Sequence, residues 1–207
     1  MVGTLVQGRV SLDGASTVAS KLALTIAIRY ASERRQFAAG VGDTEVVLLD
    51  YQRHQRRLLP RLATTYAMSF GHDQLLEKFH GVFSGEHDTD DDRQDLETLA
   101  ASLKPFSTWS ALDIIQEARE ACGGNGFLAE NRFTQLRADL DIYATFEGDN
   151  NILLQLVAKR LLTDYARRLA KPDAAAIAAY AGQAAGAVVS RSGLRALGQR
   201  IADFGST

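Results

Sequence analysis

Proline is scarce in this 207-residue chain, and this scarcity permits long helices. Only Pro60, Pro105 and Pro172 occur, and proline disrupts a helix interior because it removes a backbone hydrogen bond. Apolar residues recur at the spacing of a helix face, as at Val18 and Leu22. Beyond the first dozen residues, no stretch shows the two-residue alternation of a strand. The sequence therefore predicts an all-α protein, an up-and-down helical bundle.

Glycine clusters divide the chain into predicted helices. We expect these over residues 15–37, 45–70, 93–121, 149–170 and 172–204. Ser16 or Thr17 is expected to cap the first helix, because a hydroxyl there accepts a hydrogen bond from the first turn. The acidic run between Gly81 and Asp95 predicts a solvated loop, since it lacks the glycine and terminal glutamate of a calcium-binding EF-hand.

Charge and cysteine content argue against several classes of protein. The chain has 23 basic and 25 acidic residues, a balance that argues against nucleic-acid binding. Its single cysteine, Cys122, excludes an internal disulfide. We expect Cys122 to be buried and structural rather than nucleophilic, because no base neighbours it in the sequence. The histidines lack zinc-site spacing, and no apolar run approaches the ~20 residues that span a bilayer, so we expect no metal and no membrane segment.

The sequence CGGNGF, Cys122 to Phe127, allows two interpretations. A dinucleotide-binding glycine loop follows a strand, whereas this segment follows a predicted helix. The first interpretation is a tight turn between helices, with glycines at positive φ. The second is a bare backbone on which a flat ligand rests, because glycine has no side chain in the way. Spacing alone favours the turn.

A carboxylate precedes the fourth predicted helix in the segment TFEGDNNILLQL, which begins at Thr145. Gly148 follows Glu147 and leaves room for a substrate beside it. The helix dipole stabilises the ionised carboxylate, whereas an apolar ligand stabilises the neutral acid, and a carboxyl group under both influences suits a general base. The alternative is a first-turn glutamate that only complements the dipole. The residues alone leave both interpretations open.

Arg34 and Arg35 end the first predicted helix, in the segment ASERRQF. Arginines at a helix C-terminus usually complement the dipole or are solvated. The alternative is anion binding, which requires a phosphate group supplied from elsewhere.

Three segments together resemble one enzyme superfamily. ASERRQF resembles the ERxxF motif of acyl-CoA dehydrogenases and acyl-CoA oxidases, CGGNGF resembles their flavin-side glycine turn, and FEGDNN resembles their catalytic-glutamate motif. The three occur in the family order. Residues 48–67 and 102–124 resemble the oxidase branch in particular, and the resemblance covers roughly residues 8–170.

The resemblance implies a reaction. Family members use FAD to convert a saturated acyl-CoA to trans-2-enoyl-CoA. By resemblance, Glu147 removes the α-proton while the β-hydrogen leaves as hydride to the flavin, and the backbone N–H of Glu147 hydrogen-bonds the thioester carbonyl. In oxidases the electrons then pass to O₂ and yield H₂O₂, and in dehydrogenases an electron-transfer flavoprotein takes them.

The resemblance also implies binding residues. Arg34 matches the arginine that reaches the FAD pyrophosphate of the partner subunit, with Phe37 nearby. Further matches to FAD contacts are Gly123, Gly124, Asp149 and Asn151, and matches on the substrate side are Phe146 and Gly148. Two positions depart from the family pattern, since Phe146 stands where many members have tyrosine and Ala38 replaces a glycine.

We therefore expect an acyl-CoA oxidase that acts on fatty acyl-CoA in fatty acid β-oxidation, with O₂ as electron acceptor. A homodimer is expected by resemblance, since the flavin site lies between subunits. An acyl-CoA dehydrogenase is the first alternative, and a non-catalytic helical fragment that only dimerises is the second.

Family members carry further domains on both sides of the matching segment, so we expect a fragment of a larger enzyme. Residues 1–170 are expected to form the helical domain with the catalytic glutamate and part of the FAD site, and residues 171–207 the start of a further helical segment. The isolated chain is expected to be inactive, because an absent β-domain supplies much of the flavin ring site. The Ala- and Arg-rich composition, without a peroxisomal SKL-type ending, favours a bacterial cytoplasm.

Overall fold

The computed structural model of the chain describes residues 2–38, 40–170 and 182. This described part contains five α-helices: α1 (Val2–Glu33), α2 (Gln52–Phe83), α3 (Asp90–Ala121), α4 (Phe133–Asp141) and α5 (Asn150–Ala170). Two strands, β1 (Arg35–Gln36) and β2 (Val46–Val47), form a short antiparallel ladder, the only sheet in the described residues. The prediction of an all-α bundle is confirmed.

Three long helices form the frame that carries the other elements. α1, α2 and α3 have 32 residues each and pack against one another in every pairing. Ala23, Ala27 and Ala31 recur every four residues on α1, and each is fully buried. Residues four apart share one helix face, and such small side chains let a neighbouring helix come close.

The first helix is longer at its start than predicted and shorter at its end. It begins at Val2 and ends at Glu33, so the predicted bounds of 15 and 37 are wrong. Ser16 and Thr17 are not caps, because they lie inside the helix. Their hydroxyls donate to the carbonyl oxygens four residues earlier, at 2.8 Å and 3.0 Å, and a helix interior satisfies these groups in that way.

The second helix is displaced towards the C-terminus by comparison with its predicted bounds of 45 and 70. It begins at Gln52 and ends at Phe83, passing through Gly71 and Gly81. Packing against α3 overrides the weak helix propensity of these glycines. A Cβ atom on Gly71, for example, would stand 3.4 Å from Leu103 of α3, which is ordinary contact.

The acidic run is partly helix rather than only a loop. α3 begins at Asp90, and Thr89 forms a capping box with Asp92. The Thr89 hydroxyl accepts from the backbone N–H of Asp92 at 3.1 Å, and the Asp92 carboxylate accepts from that of Thr89 at 3.2 Å. Carboxylates in a first turn also complement the helix dipole, so these acidic side chains help to start α3.

The chain divides into two compact units, residues 1–158 and 159–207. The first contains α1 to α4 and the beginning of α5. In the second, the described residues continue α5 to Ala170, and Arg160 pairs with Asp164 at 2.7 Å. The predicted helix over 172–204 and the predicted segment 171–207 lie outside the described residues. None of the described helices combines the length and the hydropathy that crossing a bilayer requires.

Candidate functional site

Glu147 lies in a turn between the short 3-10 helix Ile142–Ala144 and α5. Its φ is 56° and that of Gly148 is 109°, so two successive residues adopt conformations that L side chains rarely take. Phe37 is another of the three non-glycine residues with positive φ in the described chain. Such conformations persist where the surroundings hold them, and they concentrate at functional sites.

The Glu147 carboxylate lies against the backbone of α1 at Gly8. A Cβ atom on Gly8 would stand 2.5 Å from both Cδ and Oε2 of Glu147, so the carboxylate occupies the space that the glycine leaves. Arg9 is buried, and its Nε donates to the Glu147 backbone carbonyl at 3.1 Å. α1 thus contacts both the side chain and the backbone of the predicted base.

A buried lysine of α3 holds the next part of this turn. Lys104 has no exposed surface, and its Nζ donates to the Gly148 carbonyl and to Asn150 Oδ1, both at 2.8 Å. The Asn150 amide donates in turn to the Thr108 hydroxyl at 3.0 Å. Lys104, Thr108 and Asn150 therefore connect the interior of α3 to the start of α5.

Two cations, Lys104 and Arg9, and two carboxylates, Asp149 and Glu147, lie around the turn. The pKa of Lys104 is lowered to about 8, chiefly by burial and in smaller part by Arg9, whereas Asp149 and Glu147 act in the opposite direction. Lys104 is therefore mostly cationic at neutral pH. A charged donor makes stronger hydrogen bonds than a neutral one, so the hydrogen bonds from Lys104 to Gly148 and Asn150 are strong at neutral pH.

The sequence predicts Glu147 as a site residue but does not predict the residues that contact its turn. These are Gly8, Arg9 and Lys104. One available signal was a lysine on an apolar helix face, since Lys104 lies four residues after the buried Ala100. A buried lysine needs acceptors, and that requirement points to a polar partner from elsewhere in the chain.

Two of the predicted cofactor residues flank the start of α5. The Asp149 carboxylate accepts the backbone N–H of Asn151 at 2.9 Å, and the Asp149 carbonyl accepts that of Leu153 at 2.9 Å. Asp149 therefore helps to begin the helix, and Asn151 is exposed. Both residues follow Glu147 closely in the chain, and their contacts with FAD stay predictions.

The glycine segment is a turn that joins α3 to the following elements. It forms the 3-10 helix Gly123–Phe127, and Gly123 has a φ of 57°. A Cβ atom on Gly123 or Gly124 would meet nothing within 4 Å, whereas one on Gly126 would stand 2.1 Å from the Arg119 carbonyl oxygen. The prediction of a turn is confirmed, although Gly123 alone among the three glycines of this segment has a positive φ. Gly123 and Gly124 leave a bare surface that also suits the ligand interpretation.

We expect Gly126→Ala to lower the free energy of unfolding by about 1–3 kcal/mol, because the new methyl group displaces the backbone at the end of α3. Gly124→Ala is the matched control in the same turn, where a Cβ atom has open space. Urea denaturation of both variants measures the difference. Equal stabilities would contradict the packing assigned to Gly126.

Arg34 and Phe37 lie at the end of α1, where the backbone is paired and the side chains point outward. The Arg34 carbonyl accepts the Leu48 N–H at 2.8 Å, and the Tyr51 hydroxyl donates to the Gln36 carbonyl at 2.8 Å. Both predicted side chains are exposed, Phe37 by 69%. Within the described residues the Arg34 guanidinium has no hydrogen-bond or ion-pair partner, so it is free to bind an anion.

The two predicted substrate-side residues differ in their surroundings. Phe146 is 42% exposed, and its ring centroid lies 5.8 Å from that of Tyr143. A Cβ atom on Gly148 would stand 3.0 Å from the Leu153 side chain. The missing side chain of Gly148 thus makes room for Leu153 of α5, and a substrate contact at this glycine stays a prediction.

Cys122 is buried at the end of α3, and burial raises the pKa of its thiol to about 11. A protonated thiol is a poor nucleophile, so the structural interpretation of Cys122 is confirmed. The described residues contain no group of His, Cys, Asp and Glu side chains that could hold a metal ion.

Comparison with known proteins gives a consistent picture. The family model described as "Acyl-CoA oxidase, C-alpha1 domain" matches residues 2–162. A curated relative, the putative acyl-coenzyme A oxidase 3.2, peroxisomal, of Arabidopsis thaliana, is 42% identical over 161 residues. The match covers 78% of this chain and 23% of that protein.

Two solved structures are similar in fold and sequence. The crystal structure of acyl-CoA oxidase1 from Yarrowia lipolytica has a TM-score of 0.76 at 36% identity, over 84% of this chain and 28% of that one. Acyl-CoA oxidase-1 of Caenorhabditis elegans, complexed with FAD and ATP, has a TM-score of 0.72 at 28% identity, over 77% and 25%. The chain thus spans about a quarter of the length of the proteins it matches.

The comparisons overturn the expected location. Several relatives are named peroxisomal, and they come from a plant and from Homo sapiens. The prediction of a bacterial cytoplasmic protein is therefore wrong. Alanine and arginine content reflects the composition of a genome and does not report a compartment, and this is the physical reason that the prediction failed.

Proposed function

This chain belongs to the acyl-CoA oxidase family, and we propose that it is the base-bearing helical domain of an enzyme that oxidises saturated fatty acyl-CoA. The products are trans-2-enoyl-CoA and, after two electrons and two protons reach O₂, H₂O₂. The observation that carries the proposal is the Glu147 carboxylate, which lies against Gly8 of α1 in a strained turn whose backbone carbonyls α1 and α3 hold. Residues 1–170 form this domain in our proposal, and the functional enzyme is a homodimer.

Glu147 acts as the general base in this proposal. Its carboxylate accepts the α-proton of the thioester, and its fixed position avoids the entropy loss of bringing base and substrate together. Among the described residues, none accepts a hydrogen bond from the backbone N–H of Glu147. That N–H is therefore available to the thioester carbonyl, where it stabilises the negative charge that develops as the proton leaves.

FAD, when bound, supplies the hydride acceptor for the β-hydrogen. The residues present fit this cofactor. The exposed Arg34 guanidinium suits a pyrophosphate, and the open surface of Gly123 and Gly124 admits a flat group at close range. Asp149 and Asn151 offer polar groups beside Glu147. The C. elegans relative complexed with FAD supports this assignment.

The experiment that tests the proposed function uses the complete protein that contains this chain. Saturated acyl-CoAs of several lengths are supplied in air, and H₂O₂ release is followed together with reduction of an artificial electron-acceptor dye. We expect one H₂O₂ for each enoyl-CoA formed, because an oxidase gives both electrons to O₂. Dye reduction with almost no H₂O₂ would instead indicate an acyl-CoA dehydrogenase, and the absence of both flavin and turnover would indicate a non-catalytic helical module.

A further inference from the structure

Lys104 is a fully buried cation near the middle of α3, and its two acceptors both lie in the segment that follows Glu147. They are the Gly148 carbonyl and the Asn150 side chain, each 2.8 Å from Nζ. Removing an ammonium group from water is unfavourable unless hydrogen bonds replace those of hydration. Both replacements here come from the turn that carries the base.

Two cations hold two successive carbonyl groups of this turn. Arg9 of α1 donates to the carbonyl of Glu147, and Lys104 of α3 donates to that of Gly148. Glu147 and Gly148 are the two residues of this turn whose φ angles are positive. A glutamate in this conformation is unfavourable by itself, so contacts from outside the turn are needed to keep it there.

Stability alone does not account for a lysine at this position. A buried apolar side chain of similar size avoids the desolvation of a charge and often leaves a protein equally or more stable. The hydrogen bonds of Lys104 instead give one specific backbone path to the residues beside Glu147.

We propose that Lys104 is a positioning residue for the general base, which holds the Gly148 carbonyl so that the Glu147 carboxylate stays over Gly8. The link from Asn150 to Thr108 holds the same turn from a second point. The inference rests on the proposed function, in which Glu147 removes the substrate proton. Lys104 does not itself contact the substrate in this proposal.

The charge on Lys104 gives this role a signature in pH. The groups that face its ammonium are Asp149 and Glu147 in the turn and Arg9 on α1, and burial is the largest influence on its pKa of about 8. Above that pH the neutral amine makes weaker hydrogen bonds, so we expect turnover to fall.

The contribution of this lysine to the free energy of unfolding has the opposite trend with pH. Between about pH 8 and the ordinary lysine pKa of 10.5 the unfolded chain binds more protons at this site, so this contribution rises with pH.

The test compares Lys104→Met with wild type in the complete enzyme. We expect kcat to fall about tenfold or more, because the variant loses both charged hydrogen bonds from the ammonium group to the turn. KM and the FAD content per subunit are expected to stay unchanged, and the decline of kcat above about pH 8 to disappear. Lys21→Met is the matched control, because the exposed Lys21 donates to Ser69 at 2.8 Å, away from the turn. Faster amide hydrogen exchange over residues 145–150 in Lys104→Met is a readout independent of turnover.

Some outcomes would overturn the proposal. Wild-type kcat per bound FAD in Lys104→Met, with the pH decline retained, would show that the lysine has only a structural role. If Lys104→Met fails to incorporate FAD, Thr108→Val decides. It removes the hydroxyl that accepts from Asn150 and donates to the Lys104 backbone carbonyl, and it leaves the ammonium group of Lys104 and its two acceptors in place. If kcat of Thr108→Val falls a few-fold at constant KM, the result supports the proposal. If Thr108→Val keeps wild-type kcat, the result overturns it. Failure of the Lys104 proposal can be distinguished from failure of the proposed function. If Glu147 is not the base, Glu147→Gln also keeps wild-type turnover.

Discussion

Glu147→Gln is expected to lower kcat of the complete enzyme by about 10²-fold or more, which is the usual contribution of a general base. Glutamine keeps the size and planar shape of the side chain but does not accept a proton at neutral pH. The contacts of the Glu147 backbone do not involve the side chain, since Arg9 donates to the carbonyl oxygen. The measurement is turnover of a saturated acyl-CoA, normalised to flavin absorbance.

Glu130→Gln provides the matched control for this variant. Glu130 lies in the exposed 3-10 segment Ala129–Asn131, so the same change of charge is made away from the turn. We expect this control to keep wild-type turnover. If Glu147→Gln also kept near-wild-type turnover with full FAD content, the assignment of Glu147 as the base would be wrong.

Gly8→Ala is expected to lower kcat by about 10²-fold, because a displacement of the base by about 1 Å has an effect of that size. The new methyl group would stand 2.5 Å from Cδ and Oε2 of Glu147, so the carboxylate must move. The carboxylate is the end of a flexible side chain, so its movement costs little stability. In addition, alanine stabilises a helix relative to glycine by roughly 0.5–1 kcal/mol. We therefore expect little loss of thermal stability together with the loss of turnover.

Gly71→Ala is the control for this second prediction. It makes the same change inside α2, where a Cβ atom would meet Leu103 at 3.4 Å, an ordinary contact. Both variants are compared by kcat per bound FAD and by thermal unfolding. Wild-type kcat in Gly8→Ala would show that the carboxylate finds an equally productive position elsewhere.

The start of α1 shows why sequence periodicity failed there. Gly3 and Gly8 lie in the first residues and suggest a non-helical start, yet the helix begins at Val2. Each glycine lies against a residue that is distant in the sequence. A Cβ atom on Gly3 would meet Phe83 at 3.4 Å, and one on Gly8 would meet Glu147. Local propensity contains no information about such partners, so the first helix was predicted too short.

Other features were readable from the sequence in part. Glu147 is a candidate base from the sequence because its motif is local and compact, and its role as the base stays a prediction. Lys104 was not predicted, because its role depends on Gly148, 44 residues away in the chain. The capping box at Thr89 and Asp92 was readable in principle from its spacing, although the surrounding acidic residues suggested a solvated loop. Roles set by long-range contacts therefore required the fold.

The left-handed backbone at Glu147, with its φ of 56°, has a consequence for laboratory evolution. Glycine and asparagine accept this conformation more readily than glutamate, so both are favoured at this position whenever folding alone is selected. A screen for heat resistance that does not also assay turnover would enrich such replacements and discard the carboxylate that we propose as the base. Heat tolerance and chemical competence are thus opposed at this one position, and an engineering campaign on the enzyme must select for both at once.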